Sequence, residues 1–359
     1  MEHKLGFIGF GGMAEHHYKM GKREEIGMEP VAVFDIRPER REYAEKLGMT
    51  AYDNVEAFLA DHRFDVVVVA TPNQFHCLYT CKALEAGYNV ICEKPAAMNT
   101  AEVEKMIATA ERVGKIFTIH QNRRFDDDFR VAKKVLDGGM VGTPYMIESR
   151  IESPDGNGCM YNWRGMLDHG GGMFPDWGVH MLDQMLWCVG KPVKSVYAKI
   201  RTIHSEEVDD YAKVILSYEG DPVVQIEVAT FGPLPRPRFS IYGTQGAAIL
   251  EEMDWPTMKV RRIAESTREP NDSPAYLENE VYTRLQSIHK VKRFEEFFVT
   301  PEGTECGWPH YYEHFKKALD GEEELLVTPA QILQCMRVID AAFISARENR
   351  VVYLDEFNR

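Results

Sequence analysis

The chain has 359 residues, which is enough for two domains that each bury a core of their own. Its formal net charge of -14 would repel a polyanion and argues against nucleic acid as a partner. With 44% hydrophobic and 27% charged residues, the composition is that of an ordinary globular protein and excludes a disordered or fibrous one.

Three features bear on where the protein works. The apolar runs, such as 66–70, have the length of a strand and fall far short of the roughly 20 residues of a membrane helix. The first residues run directly into a strand pattern, without the charged start and apolar stretch of a signal peptide. The 7 cysteines are odd in number and form no C-x-x-C pair, a usage typical of reduced thiols. We therefore expect a cytoplasmic protein that has no membrane partner.

In the first part of the chain, short apolar runs alternate with amphipathic stretches. Predicted strands lie at 5–9, 31–34, 65–70, 89–92 and 116–120. Predicted helices lie between them, through Tyr18 and Met20 and at 39–47, 72–86 and 100–113. Strands that alternate with helices predict an α/β fold with a doubly wound parallel sheet, which we assign to a first domain of residues 1–123.

The pattern changes in the second part of the chain, which we assign to a domain of residues 124–359. Helices are predicted at 126–136, 173–189, 310–319 and 329–348. Longer, alternating strands are predicted at 146–152, 193–203, 211–218, 223–230, 238–243 and 247–251, with a short one at 351–354. Short turns between these strands predict a large open sheet that is mainly antiparallel. Residues 261–274 carry charges and prolines without periodicity and are predicted to form a surface loop.

A glycine-rich turn follows the first predicted strand and opens the first predicted helix: Gly9-Phe10-Gly11-Gly12-Met13-Ala14. Gly9 would permit the tight turn, and Gly11 would let the backbone approach a pyrophosphate. Ala14 takes the place of the third glycine, where the helix packs on the strand. The turn therefore predicts a dinucleotide whose phosphates bind at the helix N-terminus.

Asp35 ends the second predicted strand, where a carboxylate would accept hydrogen bonds from an adenosine ribose. Its charge favours NAD over NADP, because a 2′-phosphate would meet a negative group. The guanidinium groups of Arg37, Arg40 and Arg41 follow closely and could serve a phosphate. We predict NAD, with NADP left open.

Two more motifs follow the next predicted strands. Thr71-Pro72-Asn73, with His76, comes after the strand of four valines, and Glu93-Lys94-Pro95 comes after the strand that follows. Both motifs lie at the carboxyl ends of parallel strands, the edge at which ligands bind in such sheets. We therefore predict that they contact the cofactor and that Lys94 also faces the substrate.

Asp176 and His180 follow the run Gly170-Gly171-Gly172. Their i, i+4 spacing places both on one face of a helix, which Pro175 predicts to begin near Phe174. A histidine beside a carboxylate is suited to general acid and base chemistry near neutral pH. The pair could equally be a buried polar pair that holds the helix. Only two metal ligands are visible, so we predict no metal site.

Taken together, these motifs resemble the Gfo/Idh/MocA oxidoreductases. The likeness includes Arg123-Arg124-Phe125, Asp183 and Ile241-Tyr242-Gly243-Thr244-Gln245-Gly246, and spans nearly the whole chain. The resemblance implies a Rossmann domain, followed by an α/β domain whose open sheet often forms the interface of a homo-oligomer, a dimer or tetramer. It also implies the transfer of a hydride between a secondary hydroxyl of a sugar, cyclitol or related polyol and NAD(P).

The resemblance implies roles for individual residues as well. His180 would accept the proton, while Lys94 and Asp176 would hold and polarise the reacting oxygen. Trp163 and Arg164, next to Asn162, resemble the family stretch that reaches the nicotinamide, while Asn162 and Trp163 could equally be interior packing. Polar residues that could line a polyol site are Arg123, Asn157, Tyr161, His169 and Arg236.

Two alternatives remain open. One is an enzyme that cleaves glycosides by oxidising a sugar hydroxyl, eliminating the aglycone and returning the hydride to the sugar. The other is a sugar-sensing regulator that has the same fold and binds the cofactor without catalysis. A binder would not need Lys94, Asp176 and His180 together, which favours an enzyme.

Overall fold

The computed structural model describes residues 3–153, 162–271, 275–277, 280–282 and 286–358. The first half forms a parallel sheet whose strands are β1 His3–Ile8, β2 Met28–Phe34, β3 Thr50–Tyr52, β4 Val66–Val69, β5 Asn89–Cys92 and β6 Phe117–Ile119. The helices between them are α1 Gly12–Gly21, α2 Pro38–Lys46, α3 Val55–Leu59, α4 His76–Glu85 and α5 Thr100–Val113.

The strand order of this sheet is β3-β2-β1-β4-β5-β6, with parallel neighbours throughout. The order reverses between β1 and β4, which makes the carboxyl ends of these strands the expected ligand edge. All four valines of β4 are fully buried because helices cover both faces of the sheet. The predicted doubly wound parallel sheet is confirmed. The short elements β3 and α3 were not predicted, because three and five residues are too few to show a period.

The second half forms a nine-stranded sheet and four α-helices within the described residues. Its elements are α6 Asp127–Asp137, β7 Pro144–Glu152, α7 Val179–Val189, β8 Ser195–Arg201, β9 Tyr211–Tyr218, β10 Gly220–Ala229, β11 Phe239–Gly243, β12 Gly246–Leu250, β13 Met258–Asn271, β16 Gln286–Val299, α8 Pro309–Leu319, α9 Pro329–Glu348 and β17 Val352–Tyr353. Between β13 and β16, the short strands β14 Ala275–Leu277 and β15 Glu280–Tyr282 pair with each other.

The strand order of the larger sheet is β16-β13-β12-β11-β7-β10-β9-β8-β17. Only β7 and β10 run parallel, and all other neighbours in it are antiparallel. The prediction of a mainly antiparallel sheet in the second half is confirmed. None of the helices in the described parts of the chain is long and apolar enough to cross a membrane.

The prediction of a surface loop at 261–274 is wrong. Most of this segment belongs to β13, which pairs with β16 along its whole length. The alternation of apolar and polar residues is missing because residues 261–269 of β13 bury little side-chain surface. Its strands are instead linked by the backbone ladder and by ion pairs such as Lys259 to Glu296 at 3.0 Å and Arg262 to Glu295.

The end of the chain returns to the first sheet. The Tyr311 hydroxyl donates to the Ile119 carbonyl at 3.0 Å, and Thr118 donates to the Val327 carbonyl at 2.9 Å. Helix α9 packs on β8 of the second sheet and also on α5 of the first. The helices α8 and α9 therefore link both halves, and the predicted domain boundary after residue 123 stays a prediction.

Candidate active site

A cavity of about 800 Å³ lies at the carboxyl edge of the parallel sheet. Residues from the ends of four strands and from the segment that precedes α7 surround it. Its lining consists of Gly9, Phe10, Gly11, Gly12, Met13, Phe34, Asp35, Ile36, Arg37, Ala70, Thr71, Pro72, Asn73, Phe75, Tyr79, Glu93, Lys94, Asn162, Trp163, Arg164 and His169. The structure thus brings most of the predicted cofactor residues to one place.

The glycine turn leaves space where a side chain would block a ligand. Gly9 has a φ of +83°, and a Cβ there would lie 2.7 Å from the Ala70 carbonyl oxygen. At Gly11 and Gly12 nothing lies within 4 Å of a Cβ position, so the open space is on the cavity side. Helix α1 begins at Gly12 without a side-chain cap. These features fit a dinucleotide whose phosphates accept from the first N–H groups of α1.

Ala14 is fully buried and does not line the cavity. It lies where α1 packs on the sheet, the place expected for the third small residue of the turn.

Asp35 follows β2 and lines the cavity, and its carboxylate accepts two backbone N–H groups. Phe10 N donates at 2.7 Å and Arg37 N at 2.9 Å. Arg41 donates to the Asp35 carbonyl at 2.9 Å, while Arg40 donates to the Phe10 carbonyl and to Glu15. The described contacts therefore engage Arg40 and Arg41 in holding this edge of the sheet. Arg37 alone of the three arginines lines the cavity.

Asn73 and His76 shape the loop beside the cavity. Asn73 lines the cavity and donates from Nδ2 to the Gly170 carbonyl at 2.8 Å. His76 is fully buried, with Nδ1 2.8 Å from the Pro95 carbonyl and Nε2 2.9 Å from the Thr71 carbonyl. His76 does not line the cavity. Its ring fixes the two loops that carry Thr71 and Lys94, so any influence on the cofactor is indirect.

Lys94 lines the cavity and pairs with Asp176; Asp176 and His180 do not themselves line it. Lys94 Nζ donates to Asp176 Oδ1 at 2.7 Å and to the Asp176 carbonyl at 2.9 Å. Arg164 Nε donates to the same Oδ1 at 3.3 Å, and its guanidinium stacks 4.4 Å from the Trp163 ring. Residues 82 positions apart in the chain thus form one charged cluster.

The segment that carries Asp176 is a π-helical turn, Phe174–Gly178, that continues into α7. The single α-helix predicted over 173–189 is thus wrong at residues 174–178, and the i, i+4 argument for one shared face does not hold there. Pro175 lacks an N–H, and a Cβ on Gly178 would lie 2.3 Å from the Phe174 ring. A wider turn of this kind is frequent at functional sites.

His180, in the first turn of α7, is 5% exposed, and its Nδ1 lies 3.0 Å from Gln121 Oε1. Burial, reinforced by the positive charges of Lys94 and Arg123, holds the pKa of His180 well below its usual range. The ring is therefore neutral at neutral pH and can accept a proton.

Arg123 belongs to an aromatic wall on the same side as His180. Its guanidinium lies 4.1 Å from the Trp177 ring centroid and 5.7 Å from that of Trp308, and it pairs with Asp126 at 2.7 Å. Trp308 in turn donates to Asp126 at 2.8 Å. Trp308 was missed because it lies far along the chain, in no motif, just before α8.

Of the other candidates for a polyol site, Arg236 lies away from the cavity. Arg236 pairs with Glu152 and Glu227 on the antiparallel sheet. Asn157 and Tyr161 lie outside the described residues. His169 does line the cavity, where it pairs with Asp168 at 2.6 Å.

Glu93 lies behind Lys94 in a buried cluster that sequence reasoning did not identify. Its Oε1 accepts from His17 at 2.8 Å and from His120 at 2.7 Å, and His17 also contacts the Tyr312 hydroxyl. Burial pushes the pKa of Glu93 upward, but its interactions with His120 and His17 outweigh burial and hold that pKa well below its usual range. The ligand atoms of His17, Glu93 and His120 lie within 4.8 Å of one another. Hydrogen bonds among the three account for this proximity, and the absence of a metal stays a prediction.

Acid should destabilise the fold through its buried histidines. Burial lowers the pKa of His17 to about 4, while the same residue in the unfolded chain titrates near 6.5. Below pH 6.5 the unfolded state therefore binds more protons, and the free energy of unfolding falls by up to about 1.4 kcal/mol per pH unit for this residue. Urea denaturation at pH 7.5, 6 and 5 should show the decline. His17→Gln should reduce the fall of the free energy of unfolding with decreasing pH. His289→Gln, at an exposed position, should leave that fall unchanged. Equal stability at pH 7.5 and 5 would contradict this account.

Comparison with known proteins agrees with this architecture. Residues 3–121 match the family model described as the oxidoreductase family with an NAD-binding Rossmann fold. Residues 129–249 match the GFO/IDH/MocA C-terminal domain. The chain belongs to the Gfo/Idh/MocA family. It is an NAD(P)-dependent dehydrogenase, as the resemblance implied.

Three relatives illustrate the family. An NAD-binding protein from Listeria innocua shares 32% identity and superposes with a TM-score of 0.84 over 98% of this chain and 99% of that one. The scyllo-inositol 2-dehydrogenase (NADP(+)) of Bacillus subtilis is 24% identical over 98% of this chain and 96% of its own. The D-glucoside 3-dehydrogenase of Escherichia coli is 34% identical over 54% of this chain and 56% of its own.

Proposed function

We propose that this family member oxidises a secondary hydroxyl of a sugar, cyclitol or related polyol. The observation that carries the proposal is the pairing of Lys94, a residue of the cavity wall, with Asp176, together with the buried, neutral His180, whose pKa the charge of Lys94 lowers. A cation and a neutral proton acceptor suit the removal of a proton from an alcohol. The names of the inositol and glucoside dehydrogenases among the relatives support this substrate class.

Each residue has a distinct task in this proposal. When bound, the nicotinamide accepts a hydride from the carbinol carbon. His180 takes the hydroxyl proton on the ring nitrogen that Gln121 leaves free. The Lys94 ammonium, held by Asp176, stabilises the negative charge that grows on the oxygen. Trp163 and Arg164 form part of the cavity wall. Arg123, stacked on Trp177 and Trp308, offers a polar and aromatic surface to a sugar ring.

The direct test is a panel of inositols, aldoses and aryl glycosides incubated with the protein and NAD+ or NADP+. We expect NADH or NADPH absorbance to rise with at least one polyol. The release of aglycone without net reduced cofactor would instead indicate glycoside cleavage by transient oxidation. Tight binding of sugar and cofactor without either product would indicate a regulator.

We propose a preference for NAD because the Asp35 carboxylate occupies the ribose edge of the cavity. Asp35→Asn keeps an oxygen for the Phe10 N–H and removes the charge. The ratio of kcat/KM with NAD+ to kcat/KM with NADP+ should therefore fall by about tenfold or more, roughly 1.4 kcal/mol. Asp53→Asn, at an exposed position nearby on the same side of the sheet, is the matched control. An unchanged ratio in Asp35→Asn would show that Asp35 does not select the cofactor.

We also propose that the protein forms a dimer or tetramer through its open antiparallel sheet. Tyr145 and Val223, in the neighbouring strands β7 and β10, are 46% and 38% exposed. Apolar side chains left exposed on a sheet are suited to cover by a second copy. Light scattering should give a mass at least twice that of one chain, whereas a monomer at micromolar concentration would contradict the proposal.

A further inference from the structure

Gln121 is the hydrogen-bond partner of His180. It follows β6 and is 5% exposed, with its Oε1 3.0 Å from His180 Nδ1. Its backbone is fixed at both ends, because Gln121 N donates to the Ile119 carbonyl at 2.8 Å and the Gln121 carbonyl accepts from Arg124 N at 3.2 Å. A buried side chain on so constrained a backbone gives the imidazole a defined partner.

The choice of tautomer decides whether His180 can act as a base. A neutral imidazole carries one N–H, on either Nδ1 or Nε2. If the amide oxygen accepts from Nδ1–H, Nε2 keeps its lone pair and can take the proton of an alcohol. If Nε2 carries the proton instead, it has no free lone pair and cannot accept a proton from the alcohol.

We infer that Gln121 is a positioning residue that holds His180 as the Nδ1–H tautomer and so leaves Nε2 as the proton acceptor. The expected effect on turnover rests on the proposed function, whereas the tautomer of His180 can be measured without it. In the oxidation, the alcohol O–H bond breaks and its proton forms an N–H bond at Nε2, while the carbinol C–H bond gives its hydride to the bound nicotinamide.

The partner of His180 is a neutral amide, whereas the partner of two other buried histidines is a carboxylate. The same fold pairs two other buried histidines, His17 and His120, with the carboxylate of Glu93. A carboxylate beside His180 would stabilise the imidazolium and oppose the cations Lys94 and Arg123. The amide orients the ring while adding no charge, so the protonated ring can release its proton again after the hydride transfer.

The experiment combines a spectroscopic readout with kinetics. In protein with 15N-labelled histidine, with NAD+ bound and His180 assigned by comparison with His180→Ala, we expect the ring nitrogens to report protonated Nδ1 and bare Nε2. Gln121→Glu should raise the pKa of His180 in an NMR titration by about one unit or more. It should also move the acidic limb of the kcat/KM profile upward by the same amount. Gln121→Met, which removes the acceptor and adds no charge, should lower kcat about tenfold with the KM for NAD+ unchanged.

Gln334→Met is the matched control, since Gln334 donates only to the Lys191 carbonyl in the described contacts and lies away from the cavity. A bare Nδ1 and protonated Nε2 in the unaltered protein would overturn the inference, as would a Gln121→Glu titration that leaves His180 unchanged. If Gln121→Glu fails to fold, a tautomer preference that survives in Gln121→Met would overturn it too. The NMR measurements need no turnover, so they decide the inference even if the polyol panel yields no substrate.

Discussion

His180→Ala should lower kcat about 100-fold or more while the protein stays folded, the scale typical for loss of a general base. The ring is buried and neutral, and it is oriented by Gln121, so its removal takes away the only side chain to which we assign the proton. Alanine leaves a space that water can enter. Water is a weak base at neutral pH, so the residual rate should rise steeply with pH.

The measurement is steady-state kinetics on the substrate found in the panel, with NAD+ affinity followed separately by the quenching of protein fluorescence. His204→Ala is the matched control because its side chain is exposed on a loop of the second domain. We expect kcat to fall only in His180→Ala and the dissociation constant of NAD+ to stay within about threefold. Near-normal turnover in His180→Ala would remove His180 from the mechanism.

Lys94→Ala should lower kcat by about 100-fold or more for a different reason. The Lys94 ammonium lies 2.7 Å from Asp176 and is the cation that we propose stabilises the developing oxyanion. Without it, Asp176 keeps Arg164 at 3.3 Å, so the carboxylate is still paired and the fold should survive.

The two variants should differ in their pH dependence. Loss of Lys94 removes a positive charge that depresses the pKa of His180, so the acidic limb of the rate profile should move to higher pH in Lys94→Ala. Lys82→Ala, at a partly exposed lysine that pairs with Glu56, is the control and should behave like the unaltered enzyme. A Lys94→Ala enzyme with near-normal kcat would show that the oxyanion is stabilised elsewhere.

The cofactor half of the site could be predicted from the sequence because its residues follow directly from strand ends. In a parallel sheet the carboxyl ends of neighbouring strands meet at one edge, so the turns after β1, β2, β4 and β5 had to converge. Their lining of a single cavity agrees with this expectation. Asp35 and Lys94 were predictable for the same reason.

The other half of the site depends on contacts that no local pattern encodes. Gln121 meets His180, and Trp308 meets Arg123, across 59 and about 185 positions of the chain. In the π-helical turn before α7 the Phe174 ring packs against Gly178, and helical periodicity in the sequence cannot distinguish such a turn from an α-helix. The part of β13 from residue 261 to 269 was missed because its side chains are exposed or half-buried and show no regular buried face.

The most direct test of the account is the fate of the carbinol hydrogen. The substrate from the panel, deuterated at its carbinol carbons, should be incubated with NAD+ and the reduced cofactor analysed by mass spectrometry and proton NMR. We predict one deuterium at C4 of the nicotinamide and a slower rate than with the unlabelled compound. NADH that carries no deuterium, or deuterium that appears in the solvent, would contradict direct hydride transfer in this site.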